Sequence, residues 1–316
     1  MRFVDADQVR NALDYSGLIQ GLDRMHRDET QQMQDLLLAQ PVGDETTNHL
    51  LIRAAWQYDQ AVGMKLVTIF PGNPSRALPA VQGIYVLFDG ESGSPRAAVD
   101  GTALTFWKTA ADSALGASYL AREEAESLLM VGAGAMAPHL IAAHCAARPS
   151  IRSVSIWNRT ADKADELAAG LEVAGVSIQP VTSLESSARA ADIISSATMA
   201  RQPLIRGAWL RPGTHLDLVG AFTPDMREAD DDCFRVATSF VDSRDTTIHE
   251  IGEIMTPLAN GVIEEGDIVA DLYDLCRGRH RGRTGNDEIT LFKNGGGGHL
   301  DLMTTRFLME RIDVNG

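Results

Sequence analysis

A short apolar run that passes into a glycine-rich turn is the clearest chemical signal in the sequence. Leu128–Val131 is typical of a buried strand, and Gly132-Ala133-Gly134-Ala135-Met136-Ala137 follows it and opens a helical stretch. The first glycine allows a tight turn, the second allows a phosphate to approach the backbone, and the final alanine lets helix and strand pack closely. Free amides at the start of the helix bind phosphate charge. The motif therefore predicts a dinucleotide site.

The strand that follows this motif ends in residues that suit a phosphate. Val154–Trp157 is followed by Asn158, Arg159 and Thr160, with no carboxylate where an NAD-preferring site binds the ribose hydroxyls. The guanidinium of Arg159 and the neutral donors beside it suit a 2′-phosphate, although Arg159 is also compatible with a plain surface role. We therefore expect NADPH as the cofactor, with NADH binding more weakly.

Three cations stand in apolar surroundings: Lys65 in GMKLV, Lys108 in FWKT and Arg53 in LLIRAAW. Because the net charge of −15 repels anions, an anionic substrate needs such local cations. A buried Arg53 is costly unless an anion pairs with it, and that anion is either the substrate or a structural carboxylate. By local sequence alone, Lys65 is better explained as a strand lysine with a buried stem, and Lys108 is also compatible with an exposed helix lysine.

Composition excludes several classes of partner. With 43 acidic and 28 basic side chains, binding to nucleic acid or to an anionic membrane is disfavoured. The three cysteines form no C-x-x-C pair, so neither a disulfide framework nor a metal site is expected. No apolar run reaches the roughly 18 residues that span a bilayer, and the start does not resemble a signal peptide. We expect a cytoplasmic protein.

The elements that position these residues follow two patterns. Strand-like runs punctuated by turn residues occupy 48–88, and an alanine-rich helix is predicted over 102–120. Beyond it, strands alternate with helical or connecting segments, which indicates a Rossmann-type doubly wound parallel sheet in an α/β protein. These strands are predicted at 128–131, 153–157, 177–181, 192–197, 214–219 and 236–241.

We therefore predict a sheet-rich α+β domain over 1–115, completed by 288–316, and a Rossmann domain over 116–287. The final stretch, from Asp287 through Ile289–Phe292 to the C-terminal helix, offers no obvious next strand for the parallel series. That is why we assign it to the first domain.

Several motifs, in order along the chain, resemble the ornithine cyclodeaminase and mu-crystallin family. They are Lys65-Leu-Val-Thr-Ile-Phe-Pro-Gly-Asn-Pro, Asp100-Gly-Thr-Ala-Leu-Thr, Val131-Gly-Ala-Gly-Ala and Glu288-Ile-Thr-Leu-Phe-Lys. The resemblance runs nearly end to end and implies a homodimer whose first domain supplies the dimer contacts and the substrate site. It also implies that Lys65 points at the substrate beside the nicotinamide. Members of the family include cyclodeaminases, alanine dehydrogenases, ketimine reductases and the thyroid-hormone-binding mu-crystallin.

Departures from the family pattern narrow the reaction. Where cyclodeaminases carry a catalytic aspartate after a Gly-Gly pair, this chain has Phe222, which accepts no proton. Lys108 replaces an arginine of most members, so the positive charge is kept and the bidentate fork is lost. The Gly295–Gly298 run before Asp301 is richer in glycine than in much of the family, and forms either a close approach to the ligand or a flexible loop.

These observations together favour NADPH-dependent reduction of a cyclic ketimine carboxylate. Δ1-Pyrroline-2-carboxylate giving L-proline is the first candidate, and Δ1-piperideine-2-carboxylate giving L-pipecolate the second. The site must hold a carboxylate, align the imine carbon with the hydride and supply a proton. The alternatives are an ornithine cyclodeaminase and a mu-crystallin-like NADPH-dependent ligand binder. We assign Lys65, Lys108, Arg53, Phe222 and Asp301 to the substrate site, and further cofactor contacts to Thr109, Ala197, Thr198 and Val219.

Overall fold

The computed structural model describes residues 1–28, 30, 32–42 and 46–315. The strands of these ranges are β1 (Arg2–Val4), β2 (Gln32–Val42), β3 (Thr46–Gln57), β4 (Ala61–Ile69), β5 (Val81–Asp89), β6 (Pro95–Asp100), β7 (Ser127–Val131), β8 (Ser153–Trp157), β9 (Ser177–Pro180), β10 (Ile193–Ser196), β11 (His215–Leu218), β12 (Thr238–Val241), β13 (Ile268–Asp271) and β14 (Thr290–Lys293). The helices are α1 (Ala6–Ala12), α2 (Tyr15–Met25), α3 (Gly101–Leu120), α4 (Ala137–Ala147), α5 (Ala161–Gly170), α6 (Leu184–Ala190), α7 (Asp231–Val236), α8 (Arg244–Thr247), α9 (Gly252–Ala259), α10 (Leu272–Cys276) and α11 (Gly298–Asn315). No helix within the described ranges is long and apolar enough to cross a bilayer. The elements divide into two compact units, 1–108 with 297–316 and 109–296.

The sheet of the first unit has the strand order β1-β6-β5-β4-β3-β2. All neighbours pair antiparallel except β1 and β6, which are parallel. Because directly opposite residues of an antiparallel pair point to the same face, the register aligns one row across β2 to β5. This row consists of Asp35, Arg53, Lys65 and Tyr85. Helix α11, which carries Asp301, packs against β3 and β4.

The second unit contains a parallel sheet of eight described strands in the order β13-β12-β14-β11-β10-β7-β8-β9. Its inner strands β10, β11 and β14 are buried along their whole length, as expected for a parallel sheet covered on both faces. From β7 the chain runs outward through β8 and β9, and then returns to add β10 on the other side. This reversal is a topological switch point, and it brings the carboxyl ends of β7 and β10 side by side. The predicted fold class is confirmed.

The boundary between the units differs from the prediction at both ends. The first unit ends at Lys108 rather than at residue 115, and it resumes at Gly297 rather than at 288. Strand β14, which the sequence led us to place in the first domain, pairs with β11 and β12 in the parallel sheet. It enters the sheet out of chain order, between strands formed far earlier in the sequence. Its short apolar run carries no local signal of that position.

Candidate functional site

The glycine-rich turn after β7 has the geometry of a phosphate cradle. Gly132 has a φ angle of 106°, and a Cβ there would lie 2.6 Å from the carbonyl oxygen of Ala197. A Cβ at Gly134 would meet nothing within 4 Å, so this side of the turn is open to a ligand. Helix α4 follows at Ala137, and its N-cap, Met136, makes no side-chain capping bond. With Ala135 beside them, these residues leave helix-start amides for an anion.

The three residues after β8, Asn158, Arg159 and Thr160, differ in their contacts. Asn158 accepts a hydrogen bond from the backbone N–H of Ala133 at 3.2 Å and donates to the carbonyl oxygen of Thr160 at 2.8 Å. Its amide therefore fastens the glycine-rich turn to the end of β8, a local role that the sequence did not indicate. Arg159 is exposed and pairs with no described residue. Thr160, the N-cap of α5, makes no side-chain capping bond. Arg159 and Thr160 remain the better candidates for a phosphate.

The ends of β10 and β11 carry three further predicted cofactor residues. Ala197 donates its N–H to the carbonyl oxygen of Val131, and Val219 donates to that of Ser196, at 2.9 and 2.8 Å. Thr198 gives both its N–H and its hydroxyl to the buried carboxylate of Glu228, at 2.7 and 2.8 Å. The N–H groups of all three residues and the hydroxyl of Thr198 are therefore bonded within the protein, so these bonds hold the two loops in place.

Two other predicted site residues of the second unit, Phe222 and Thr109, lie outside the loops that follow β7, β8 and β10. The side chain of Phe222, in the loop after β11, is 58% exposed. The carbonyl oxygen of Thr109, at the start of the unit, accepts a hydrogen bond from the side-chain amide of Asn294 at 3.0 Å. The exposed ring of Phe222 is free to meet a ligand, whereas this contact of Thr109 is internal.

The first unit brings Lys65, Lys108 and Asp301 together. The Nζ atoms of Lys65 and Lys108 both lie 3.1 Å from Oδ2 of Asp301, and Lys65 also donates to Oδ1 at 3.2 Å. Lys108 makes one further bond, to the carbonyl oxygen of Gly297 at 3.1 Å. All three charged groups are buried. The cluster therefore contains two ammoniums and one carboxylate.

Burial and mutual charge shift the titration of this cluster. Burial lowers the pKa of Lys108 to about 7, and the charges of Lys65 and Arg53 act in the same direction against the attraction of Asp301. Burial opposes ionisation of Asp301 too, but the ammoniums of Lys108 and Lys65 outweigh it and hold the pKa of that carboxyl below its usual value. Asp301 is therefore an anion at neutral pH, while Lys108 exchanges its proton there.

Arg53 has a structural partner. Its Nε and Nη2 atoms lie 2.8 and 2.7 Å from Oδ2 of Asp35, the residue opposite it on β2. The side chains are 25% and 47% exposed, so neither charge is deeply buried. Of the two partners left open by the sequence, the structural carboxylate is present. A role for Arg53 toward substrate remains a prediction.

The glycine run before α11 lies close to neighbouring protein segments. In the second unit, a Cβ at Gly295 would lie 2.1 Å from the hydroxyl of Thr247, and Gly296, with φ at 71°, donates its N–H to Asp242 at 2.6 Å. In the first unit, the carbonyl oxygen of Gly297 holds Lys108. The run is thus hydrogen-bonded to, and closely packed against, other parts of the protein. These contacts decide neither for a close approach to a ligand nor for a flexible loop.

The sequence analysis missed several buried charged residues in the second unit, and three of them surround the strand ends. Glu228 bonds to the loops after β10 and β11, Glu253 bonds to the backbone of Glu228, and Lys293 ends β14. All three side chains are fully buried. The only available signal was that Lys293 ends the motif Glu288-Ile-Thr-Leu-Phe-Lys, which was recognised for another reason. No spacing rule connects residues so far apart.

Comparison with known proteins shows a match to one protein family that extends over most of the chain. A model of the ornithine cyclodeaminase/mu-crystallin family matches residues 40–315. A Delta(1)-pyrroline-2-carboxylate reductase of Paracoccus denitrificans is 45% identical over 307 residues, covering 97% of this chain and 96% of the relative. A protein of the same name from Colwellia psychrerythraea is 33% identical over 316 residues, covering 99% of both chains.

A solved structure supports the same comparison. The Delta(1)-pyrroline-2-carboxylate reductase of Thermococcus litoralis, in complex with NADH and L-proline, superposes with a TM-score of 0.89 at 29% identity. The match covers 100% of this chain and 98% of that one. The likeness therefore includes both units.

Proposed function

Because the chain belongs to the ornithine cyclodeaminase/mu-crystallin family, we propose that it is an imine oxidoreductase that reduces a cyclic ketimine carboxylate with NADPH. Δ1-Pyrroline-2-carboxylate, giving L-proline, is the first substrate, and Δ1-piperideine-2-carboxylate, giving L-pipecolate, the second. The observation that carries this proposal is the buried pair of ammoniums, Lys65 and Lys108, that share the single carboxylate of Asp301. The names of the relatives agree with it.

The excess positive charge suits a substrate carboxylate. Each ammonium has three N–H donors, and Asp301 is the only described residue within ion-pair distance of Lys65. Donors therefore remain for a second carboxylate. A bound carboxylate would also neutralise the extra buried charge, which is otherwise costly. In this proposal Lys65 and Lys108 hold the substrate, and Asp301 keeps them oriented.

The second unit fits a nicotinamide dinucleotide. The open side of Gly134 and the positive φ of Gly132 suit a pyrophosphate at the start of α4. When bound, the cofactor supplies a hydride to the imine carbon. Arg159 and Thr160, with no carboxylate beside them, support a preference for NADPH over NADH. Asn158 fastens the turn, and these bonds use only one of its two amide N–H donors, so its predicted contact with the cofactor stays a prediction.

Reduction of the C=N bond also needs one proton on nitrogen. Lys108, with its pKa lowered to about 7, can release a proton near neutral pH, as a general acid must. An arginine in its place could not. We therefore assign the proton to Lys108.

The loop after β11 argues against cyclodeamination. Phe222 has no titratable group, and the nearest carboxylate along the chain, Asp225, already accepts a bond from Thr223 at 2.6 Å and pairs with Arg201 at 3.3 Å. Both partners hold the Asp225 pKa below its usual value. Neither residue offers an unengaged base for an attacking amine.

A three-arm assay tests the function. The purified protein is incubated with NADPH and each cyclic imine, followed by the loss of NADPH absorbance, and separately with ornithine and NAD, followed by the release of ammonia. We expect turnover only with the imines. Ornithine turnover at a comparable rate would favour the cyclodeaminase, and no turnover in any arm would favour a ligand-binding protein.

We also propose a homodimer formed through the first unit. The edge strand β2 carries three consecutive leucines, Leu36, Leu37 and Leu38, that are 50%, 57% and 49% exposed, so both faces of the strand are apolar. An open apolar edge invites pairing with another chain. Light scattering should give twice the mass of one chain, and Leu37→Asp should lower it. An unchanged mass in the variant would move the interface elsewhere.

A further inference from the structure

Glu228 binds two separate loops with one side chain. Its Oε1 atom accepts bonds from the hydroxyl of Ser196 at 2.6 Å and from the N–H and hydroxyl of Thr198 at 2.7 and 2.8 Å. Its Oε2 atom accepts the N–H of Gly220 at 2.5 Å. Ser196 and Thr198 lie at the end of β10, and Gly220 lies just after β11. One carboxylate therefore fastens the ends of two neighbouring strands.

The same loops are in direct contact with each other and with the phosphate cradle. A Cβ at Gly220 would lie 2.1 Å from the carbonyl oxygen of Thr198, and a Cβ at Gly132 would lie 2.6 Å from that of Ala197. The carboxyl ends of β7, β10 and β11 thus form one continuous surface, which we call the strand-end platform: Gly132, Ala197, Thr198, Val219 and Gly220. It lies at the switch point, where dinucleotides bind in such sheets.

Glu228 is itself held in place. The carboxylate of Glu253 accepts the N–H of Glu228 at 2.7 Å and that of Ala229 at 3.0 Å. The fully buried ammonium of Lys293 donates to the carbonyl oxygens of Leu218 and Asn294, at 3.0 and 2.6 Å. Burial raises the pKa of Glu228, whereas its bonds to Ser196 and Thr198 and the charge of Lys293 oppose that rise.

The bonding pattern requires acceptors on both oxygens of Glu228. The N–H groups of Thr198 and Gly220 can only donate, and they reach different oxygens of the carboxylate. A glutamine would place its own N–H₂ group against one of these donors. A buried carboxylate is costly to maintain, and here its bonds go to the loops of the platform.

We propose that Glu228 is a positioning residue for the nicotinamide half of the dinucleotide. In a doubly wound sheet the two halves of the cofactor bind on opposite sides of the switch point, the adenine half beside β8 and the nicotinamide half beside β10 and β11. The side-chain hydrogen bonds that the structure shows for Glu228 all go to loops on the nicotinamide side. Loss of its bonds should loosen that half while leaving the adenine half bound. The inference rests on the proposed use of a nicotinamide cofactor.

The test compares two ligands on the intact protein. NADPH reports both halves of the site, and adenosine 2′,5′-bisphosphate carries the adenine half without nicotinamide. In Glu228→Gln we expect the dissociation constant of NADPH to rise roughly tenfold, the value of one bond to a charged group, while that of the bisphosphate stays within about twofold. An equal change for both ligands would overturn the proposal.

A matched control separates positioning from general stability. Asp217 is another fully buried carboxylate of the same sheet, bonded to Ser113, Ser195 and His144 and to none of the platform residues. Asp217→Asn should lower the melting temperature without changing the ratio of the two affinities. The same change of ratio as in Glu228→Gln would overturn the proposal.

A milder variant keeps the test decisive if Glu228→Gln does not fold. Ser196→Ala removes one bond to Glu228 from a side chain that is fully buried and so does not touch a ligand. We expect a rise of roughly threefold in the ratio of the NADPH to the bisphosphate dissociation constant. An unchanged ratio would contradict the proposal. If wild-type protein binds no NADPH, the proposed function fails first.

Discussion

The first unit buries two ammoniums with one carboxylate, whereas the second buries one ammonium among several carboxylates. In the first, Lys65 and Lys108 share Asp301. In the second, the charge of Lys293 is opposed by four buried acidic side chains: Asp217, Glu228, Asp242 and Glu253. The first cluster thus has an excess of basic groups and the second an excess of acidic groups. Burial raises the pKa of Glu228, Asp242 and Glu253, that of Glu253 to about 7.

The carboxylates of the second unit are bonded to their own chain, while the ammoniums of the first have donors to spare. Glu228 and Glu253 accept backbone N–H groups on both oxygens. Lys65, by contrast, pairs with Asp301 alone among the described residues. A saturated charge fixes structure, and an unsaturated one can bind a ligand. The comparison therefore supports the proposed binding of ligand at the first cluster and the proposed positioning role of Glu228 in the second.

The largest effect is expected from Asp301→Asn. It leaves two buried ammoniums without their carboxylate, so we expect a loss of about 3–5 kcal/mol in the free energy of unfolding, measured by urea denaturation. Asp35→Asn is the control, because the pair it breaks with Arg53 is part-exposed and should contribute about 1 kcal/mol or less. Equal losses of unfolding free energy in the two variants would show that the buried cluster stabilises the fold no more than a part-exposed ion pair does.

Lys65→Met tests whether the spare donors serve the substrate. We expect a drop of roughly tenfold to a hundredfold in kcat/KM for imine reduction, because one charged contact to the substrate carboxylate is lost. Binding of NADPH should not change, since the cradle lies in the other unit. The measurement is single-turnover hydride transfer with the cofactor already bound. A wild-type rate would remove Lys65 from the mechanism.

Arg159→Ala tests an exposed cation of the second unit. We expect NADPH to bind roughly tenfold more weakly, as for one charged hydrogen bond, with NADH nearly unaffected. Because Arg159 is exposed and pairs with no described residue, the free energy of unfolding should stay the same. Calorimetric titration of both cofactors gives the comparison. Equal weakening of the two would mean that Arg159 does not contact the 2′-phosphate.

The smallest effect is a change in pH dependence in Lys108→Arg. The folded pKa of Lys108 lies at about 7, below its ordinary value, so the ammonium is present below that pH and is lost as the pH rises through it. The wild-type KM for the imine should therefore rise severalfold over about one pH unit above 7. Arginine keeps its charge there, so the variant should lack this rise.

The substrate's own titration is common to both proteins and cancels in that comparison. The arginine variant should also lose some kcat if Lys108 supplies the proton, because arginine does not release one. Identical profiles in the two proteins would show that Lys108 keeps its proton throughout the range.

Local sequence patterns were enough to predict the glycine-rich turn and the general character of both domains. The run Leu128–Val131 followed by Gly132 and Gly134 is a local signal, because a buried strand, a tight turn and a helix start all depend on residues next to one another. The absence of a carboxylate over 158–160 is read just as directly. These features did not depend on what lies elsewhere in the chain.

The partners of the charged residues, in contrast, are known only from the folded chain. Lys65 and Asp301 are 236 positions apart, and the residues next to each of them in the sequence do not indicate their contact. Arg53 meets Asp35 because of the β2–β3 register, and β14 joins the parallel sheet out of chain order. Glu228 gains its role from two strand ends that meet only when the sheet forms. Periodicity and turn residues specify local conformation, whereas pairing between distant groups is set by packing.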